Sequence, residues 1–495
     1  MMKKHIYIYL LSTFYLINTS VAQTDTCLST NTILSGTILN KKNAPLPYVN
    51  IISMNTGKGT ISNENGNFSI DINSLNDTNT IRFQCIGYKT QDQIIINLKS
   101  NSIILLSEYI YNLDEILILS TSQDPENIVK NILKNKELNY NSITKKEQIF
   151  VRERSTSKIL KLKLDYNKNN ISEITPEMLQ LVEKNSPKDN QSYSDILTNV
   201  YIKESELKFN PIKIVELKKE KNEELKNIGE TFKKLLENTK KDEYWRIKTG
   251  ILGKKIPSSN NDSLESDTSN TKSINIYKNT IKNYLGFATF KDKEQWEFLY
   301  KTNKYNFEII GGTTMNSENV YVIDFSPKEK GLFQGRLYIS IETFALIRAD
   351  YKYAPNKLGK EMYMLGLGFS QTNFRGSIYF EKDMNKYNLK YFSFQNNNKF
   401  SLNRKIAWQK KKKRLLINKK LKEIKIGVDL VVAQKEVIEL LVINQLKISD
   451  IEFNNFIEKK HVNVTYVNQF DKNLWKNHTI IEPTQEMKEY KKLEK

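Results

Sequence analysis

The sequence predicts a mainly β protein with added α-helix: an N-terminal β-sandwich, a helical connecting region and a C-terminal extended antiparallel sheet. Three observations carry this. Short apolar runs separated by turn signals fill residues 34–120, the pattern of a sandwich. Two amphipathic helical patterns follow. A strand–turn–strand unit then recurs, Phe333 to Ile339 returning as Phe374 to Phe380.

The chain of 495 residues opens with Lys3 and Lys4, an apolar run from Ile6 to Ile17, and small residues at Ser20 and Ala22. This reads as a secretory signal peptide over 1–22, too short in its apolar part to span a bilayer. The mature chain then begins at Gln23, with a segment 23–33 before the sandwich. Cys27 does not adjoin the cleavage site, so a lipid anchor there is not expected. No later apolar run reaches spanning length, so no transmembrane segment is expected in the mature chain.

Within 34–120 the expected strands include Ser35 to Leu39, Tyr48 to Ile52, Gly57 to Ser62, Asn67 to Ile70, Thr80 to Cys85, Gln93 to Asn97 and Ile103 to Leu106. Asn65-Gly66 predicts a tight hairpin, because both residues tolerate positive φ. Five ordered motifs run through the region: Gly36-Thr-Ile-Leu, Ala44-Pro-Leu-Pro-Tyr-Val-Asn-Ile51, Gly59 to Ser69, Ile86-Gly-Tyr-Lys-Thr90 and Leu113-Asp-Glu-Ile116. Together they resemble the carboxypeptidase-regulatory-like, transthyretin-like domain of exported Bacteroidetes-type proteins. The resemblance implies an accessory sandwich and brings no catalytic residues with it.

Asp124-Pro125-Glu126 starts a helix: Asp caps, Pro suits the first turn and Glu favours the dipole. A second helix near 222–239 aligns Leu225, Ile228, Phe232, Leu235 and Leu236. Residues 121–256 are therefore expected to form a helix-rich connector, and the polar stretch 257–273 a flexible linker. From 274 to 460 aromatic and β-branched residues predict repeated hairpins of one antiparallel sheet, ending in a tail at 461–495. Gly335 to Tyr351 resembles strands of the curved, half-open sheets in periplasmic lipoprotein-carrier-like proteins. Tyr244 to Ile251 and Leu474 to Pro483 complete an arrangement that resembles a family of exported proteins named for their regulatory-like first domain.

The formal net charge is +20. Export argues against nucleic acid and leaves anionic lipid, glycan or an envelope protein as partners. Eleven basic residues and one acid lie between Arg404 and Lys425. Lys410, Lys411, Lys412, Lys413 and Arg414, with Trp408 as an interfacial anchor, form the candidate contact with an anionic surface; the competing reading is a solvated strand edge. Cys27 and Cys85 are an even pair that an oxidising compartment can bridge, or Cys85 is core filling beside Ile81 and Phe83. The mature histidines, His461 and His478, lack the spacing of a zinc motif, and no Gly-x-Ser-x-Gly elbow or phosphate loop occurs. No catalytic residue, cofactor or metal is therefore assigned. The function expected is a non-enzymatic periplasmic or envelope-associated binding or scaffold protein acting through its curved sheet. The alternative is a hydrolase acting on an envelope polymer.

Overall fold

The computed structural model describes residues 33–489 except 73–74, 99–100, 112–123, 141–142, 218–222, 238, 251, 257–270, 384, 415–417 and 477. The expected signal peptide, Cys27 and most of the expected linker lie outside the described residues.

Seven short strands open the chain: β1 (Ile33–Asn40), β2 (Asn50–Ser53), β3 (Gly59–Ile61), β4 (Asn67–Asp71), β5 (Thr80–Gln84), β6 (Gln91–Ile94) and β7 (Ser102–Leu106). They form two sheets, β4-β1-β7 and β3-β2-β5-β6. Alternation along each strand drives Leu34, Ile38, Ile51, Phe68, Ile81 and Phe83 into one shared core. The Asn65-Gly66 hairpin is corrected. The turn is real, with Asn63 Oδ1 accepting from the amides of Asn65 and Asn67. Only Gly66 of the pair takes positive φ, +74°, and β3 and β4 belong to opposite sheets. The turn therefore carries the chain across the sandwich rather than along a ladder.

Next come α1 (Pro125–Lys134), α2 (Lys136–Asn139), β8 (Lys145–Asn169), α3 (Pro176–Asn185), β9 (Asp189–Lys203), β10 (Glu206–Leu217), α4 (Glu223–Glu237), β11 (Glu243–Thr249) and β12 (Leu252–Lys255). As expected, Asp124 caps α1, accepting from the Glu126 amide. The helix-rich reading of 121–256 is corrected, however, because its longest elements are strands of the large sheet. In β8, Lys161 and Lys163 alternate with Leu160, Leu162 and Leu164, so one face is polar and the strand reads as solvated sequence.

The remainder is β13 (Thr271–Ser273), α5 (Ile274–Phe287), α6 (Glu297–Tyr300), β14 (Tyr305–Met315), β15 (Glu318–Pro327), β16 (Phe333–Ser340), β17 (Leu346–Tyr353), β18 (Glu361–Met364), β19 (Leu367–Asp383), β20 (Lys386–Lys412), β21 (Lys419–Lys447), α7 (Asp450–Asn455), β22 (His461–Asn463), β23 (Thr465–Val467) and α8 (Gln485–Glu489). Among the described residues, the large sheet runs β14-β15-β16-β17-β19-β20-β21-β8-β9-β10-β23, with β11 also beside β20 and β18 beside β19. It is open, ending at β14 and β23. The two repeat units are its hairpins: Gly335 opposes Tyr351, and Gly376 opposes Phe394. A Cβ on Gly335 would meet the Asp350 carbonyl oxygen at 2.1 Å, so the first unit requires glycine.

The sheet's two faces differ. On one, α5 lays Tyr284 and Phe287 against Phe392 and Phe394. The other receives the sandwich. The expected tail contributes more than coil: β22 pairs with β13, and β23 extends the sheet parallel to β10. Beyond it, residues 480–484 pass between sandwich and sheet. Thr60 Oγ1 donates to the Ile480 carbonyl at 3.0 Å, and Asn63 Nδ2 donates to that of Glu482 at 3.0 Å.

Candidate functional site

Strand register places one polar residue from each of nine strands in a row on the sandwich-facing side. Glu308 opposes Asp324, Asp324 opposes Arg336, Arg336 opposes Asp350, and Asp350 opposes Ser377. Ser377 then opposes Ser393, Ser393 opposes Glu439, Glu439 opposes Arg152, and Arg152 opposes Asp195. Directly opposed side chains share a face, so all nine approach the sandwich.

Half of this row is closed. Arg152 holds Asp195 with two bonds of 2.8 and 2.7 Å and donates to the Ile481 carbonyl at 2.7 Å. Arg154 bridges the modules, 3.3 Å from Glu64 of the sandwich and 3.5 Å from Glu439. Burial raises the Glu439 carboxyl above its usual range, while Arg154 and Arg152 pull it back. Tyr48 of the sandwich packs on Tyr391 with ring centroids 4.7 Å apart, and burial pushes its hydroxyl up to about 12.

The other half is an open cleft of about 760 Å³ lined by both modules. Arg336 forks onto Asp324 at 2.5 and 2.8 Å. Arg348 forks onto Asp350 at 2.8 and 3.2 Å, and Ser377 Oγ donates to the same carboxylate at 2.5 Å. The third Arg348 nitrogen lies 3.4 Å from Cys85 Sγ. Burial raises the Cys85 thiol. Outside the cleft the two modules are also joined by Gln84 donating to Asn316 at 2.8 Å and Thr313 donating to the Tyr109 carbonyl at 2.7 Å. At the mouth, Lys352 and Arg375 stand directly opposite each other, a like-charge pairing that costs stability. Among the described residues neither makes an ion pair.

The cleft thus offers prearranged donors and acceptors, two cations at its entrance and a buried thiol. Sequence reading assigned none of its sheet residues to a site, because they come from five strands that only register aligns. It did name Cys85, whose burial beside Ile81 and Phe83 fits a core position.

The basic hairpin lies elsewhere, at the β20–β21 end. Lys410 pairs with Glu243 at 2.9 Å and Lys412 with Asp242 at 3.0 Å. Trp408 packs against the cluster of Trp245, Ile424 and Ile426 that also takes in Leu179 of α3. Period-two alternation sets Trp408 directly opposite Ile424, and it is half-buried. Lys413 and Arg414 are exposed, and Lys411 is half-buried. The structure does not bring this group to the cleft. His461 is exposed on β22, and His478 lies beside Trp475. Among the described residues no group of His, Cys, Asp and Glu could hold a metal, and no helix is long and apolar enough to cross a membrane.

The CarboxypepD_reg-like domain family matches residues 34–118. The sandwich is a CarboxypepD_reg-like domain. Its span ends just past Tyr111, whose amide joins the regulatory-like domain to Gly312 of β14. No curated protein matches the sequence. Among solved structures, the Pseudomonas aeruginosa MucA/MucB complex is 7% identical, covering 63% of this chain and 93% of that one, with a TM-score of 0.18. A DUF1329 family protein from Desulfovibrio piger is 12% identical, covering 67% and 98%, with a TM-score of 0.18. Scores this low establish no shared fold.

Proposed function

We propose that the protein is a non-enzymatic binding or scaffold protein of the periplasm or outer envelope, which holds an acidic stretch of an envelope protein in the cleft between regulatory-like domain and sheet. The observation that carries this is the mouth of the cleft, where Lys352 and Arg375 face each other unpaired among the described residues, beside side chains already fixed by the Arg336–Asp324 and Arg348–Asp350 forks. Preformed donors lower the ordering cost of binding, and an incoming carboxylate relieves the like-charge pair. The rival reading, a hydrolase of an envelope polymer, needs an acid free to protonate a leaving group. Of the sheet carboxylates that line the cleft, Asp324 and Asp350 both spend their oxygens on arginine, which leaves Glu308 as the acid a hydrolase would have to use.

The test is co-purification from native envelope at low and high salt, comparing wild type with the K352E/R375E double variant. Partners retained by wild type at low salt and lost from the variant support the cleft. The same partners on both proteins would overturn it.

A further inference from the structure

A second site lies on the opposite face of the sheet, beyond the cleft reading and independent of it. Towards their far ends β8, β19, β20 and β21 form an arm, with β18 at its edge. Register aligns two complete apolar rows across these five strands. Met364, Leu367, Leu402, Leu430 and Leu162 oppose one another in turn. One step nearer the body, Met362, Phe369, Phe400, Val432 and Ile159 do the same. Alternation along β20 puts both rows on the face that α5 roofs over Phe392 and Phe394, not on the face that meets the sandwich.

Both ends of this face are covered and the middle is bare. Towards the tip, α3 and α4 lay Leu179, Leu235 and Leu236 over Ile424 and Ile426. Between the two roofs Met362, Met364, Leu367 and Phe400 remain 52, 56, 38 and 40% exposed. A contiguous apolar surface left open on a polar chain marks a contact site. Five strands spaced about 4.8 Å apart make the rows about 19 Å long, with the two rows about 7 Å apart. From Arg404 on the middle strand β20, the exposed residues run diagonally over Leu367 and Phe400 to Met362 for about 17 Å, the length of one extended alkyl chain of about fourteen carbons built from ~1.5 Å bonds.

The chemistry of one flank names the head group. Arg404, the next residue of β20 on this face after Leu402, stands where β19 has ended and β11 has not begun. Its Nη2 donates to the Thr249 carbonyl at 3.3 Å. Its Nη1 and the Thr249 hydroxyl are both buried without a hydrogen-bond partner among the described residues, and no carboxylate there is paired with it. A buried guanidinium nitrogen left unsatisfied costs free energy that an anion would recover.

We propose that the arm binds a single-chain anionic amphiphile, its alkyl chain across the two apolar rows and its carboxylate or phosphate head at Arg404 and Thr249. The head displaces no ion pair; it supplies the missing acceptor.

The purified full chain would be titrated with cis-parinaric acid, a fluorescent long-chain carboxylate, below its micelle concentration. Saturable binding of one probe per chain is expected, displaced by palmitate and by hexadecyl phosphate but not by hexadecyltrimethylammonium or hexanoate. R404Q should weaken the probe at least tenfold, and M364D/F400D, at two exposed positions, should abolish saturable binding while the circular dichroism melt stays unchanged. Equal displacement by the cationic amphiphile, or undiminished binding by both variants, would overturn the proposal. So would absence of saturable binding, including the case in which sedimentation shows a dimer that M364D/F400D dissociates, since a second copy then covers the face. Because Lys352 and Arg375 lie on the other face, K352E/R375E should bind the probe as wild type does, so the two sites fail or succeed separately.

Discussion

Arg152 and Asp195 face each other across β8 and β9 as a two-bond ion pair, with side chains 1 and 0% exposed. The third Arg152 nitrogen reaches the Ile481 carbonyl, so one guanidinium joins the sheet to the tail that lies under the regulatory-like domain. Removing one partner leaves an uncompensated buried charge, which costs about 3–5 kcal/mol. Asp195→Ala should therefore lower unfolding stability in urea by about that amount, and the tail beyond Trp475 should become an early site of limited proteolysis. A loss below about 1 kcal/mol would mean that water reaches the pair.

Glu439 gives a pH dependence whose sign follows from its burial. Its carboxyl is raised in the folded state, so its contribution is fully present below the unfolded value, about 4.3, and fades as pH rises through the folded one. Stability of wild type minus that of Glu439→Gln should fall as pH goes from about 4.3 upward. Melting temperatures of both proteins across pH 4–8 provide the readout. A difference that grows with pH would mean that Arg154 and Arg152 outweigh desolvation.

Gly335 is the steric hinge of the first repeat unit. A Cβ there would stand 2.1 Å from a backbone oxygen, whereas at Gly376 it would meet the Phe394 ring at 3.0 Å. Backbone cannot give way as a ring can. Gly335→Ala should cost about 1–3 kcal/mol in a denaturant titration, as overpacking does, and Gly376→Ala less. Equal costs would count against this account of the repeat.

The basic hairpin now divides into paired and exposed cations. Lys413 and Arg414 are exposed, while Lys410 and Lys412 already hold Glu243 and Asp242. If this end meets an anionic membrane, Lys413→Gln with Arg414→Gln should weaken sedimentation with anionic liposomes at low salt by about thirtyfold, at roughly 1 kcal/mol per charge. Wild-type protein that stays in the supernatant at low salt would leave these residues as a solvated tip.

Much of the fold was legible because local chemistry dictates it. The Asn63 to Asn67 turn, the Asp124 cap and the Gly335 and Gly376 units all fall where sequence places them. The failures share a cause. In β8, alternation of Leu160, Leu162 and Leu164 with lysines signals a strand, but charge on the other face makes it resemble a solvated connector. The packing of Trp408 against Trp245 and Ile424 was not legible, because sequence does not say which face a neighbouring helix roofs. The polar row was invisible because Glu308, Asp350, Glu439 and Arg152 meet only through register across the sheet.

A partner held between the regulatory-like domain and the sheet would lie within reach of Gln334. A photocrosslinking amino acid placed at Gln334, which lines the cleft beside Lys352, would be activated in native envelope. A discrete protein adduct is expected, and it should disappear when K352E/R375E is added. An adduct that persists in that variant, or no adduct from Gln334 while the same label at exposed Met364 on the arm gives one, would contradict it.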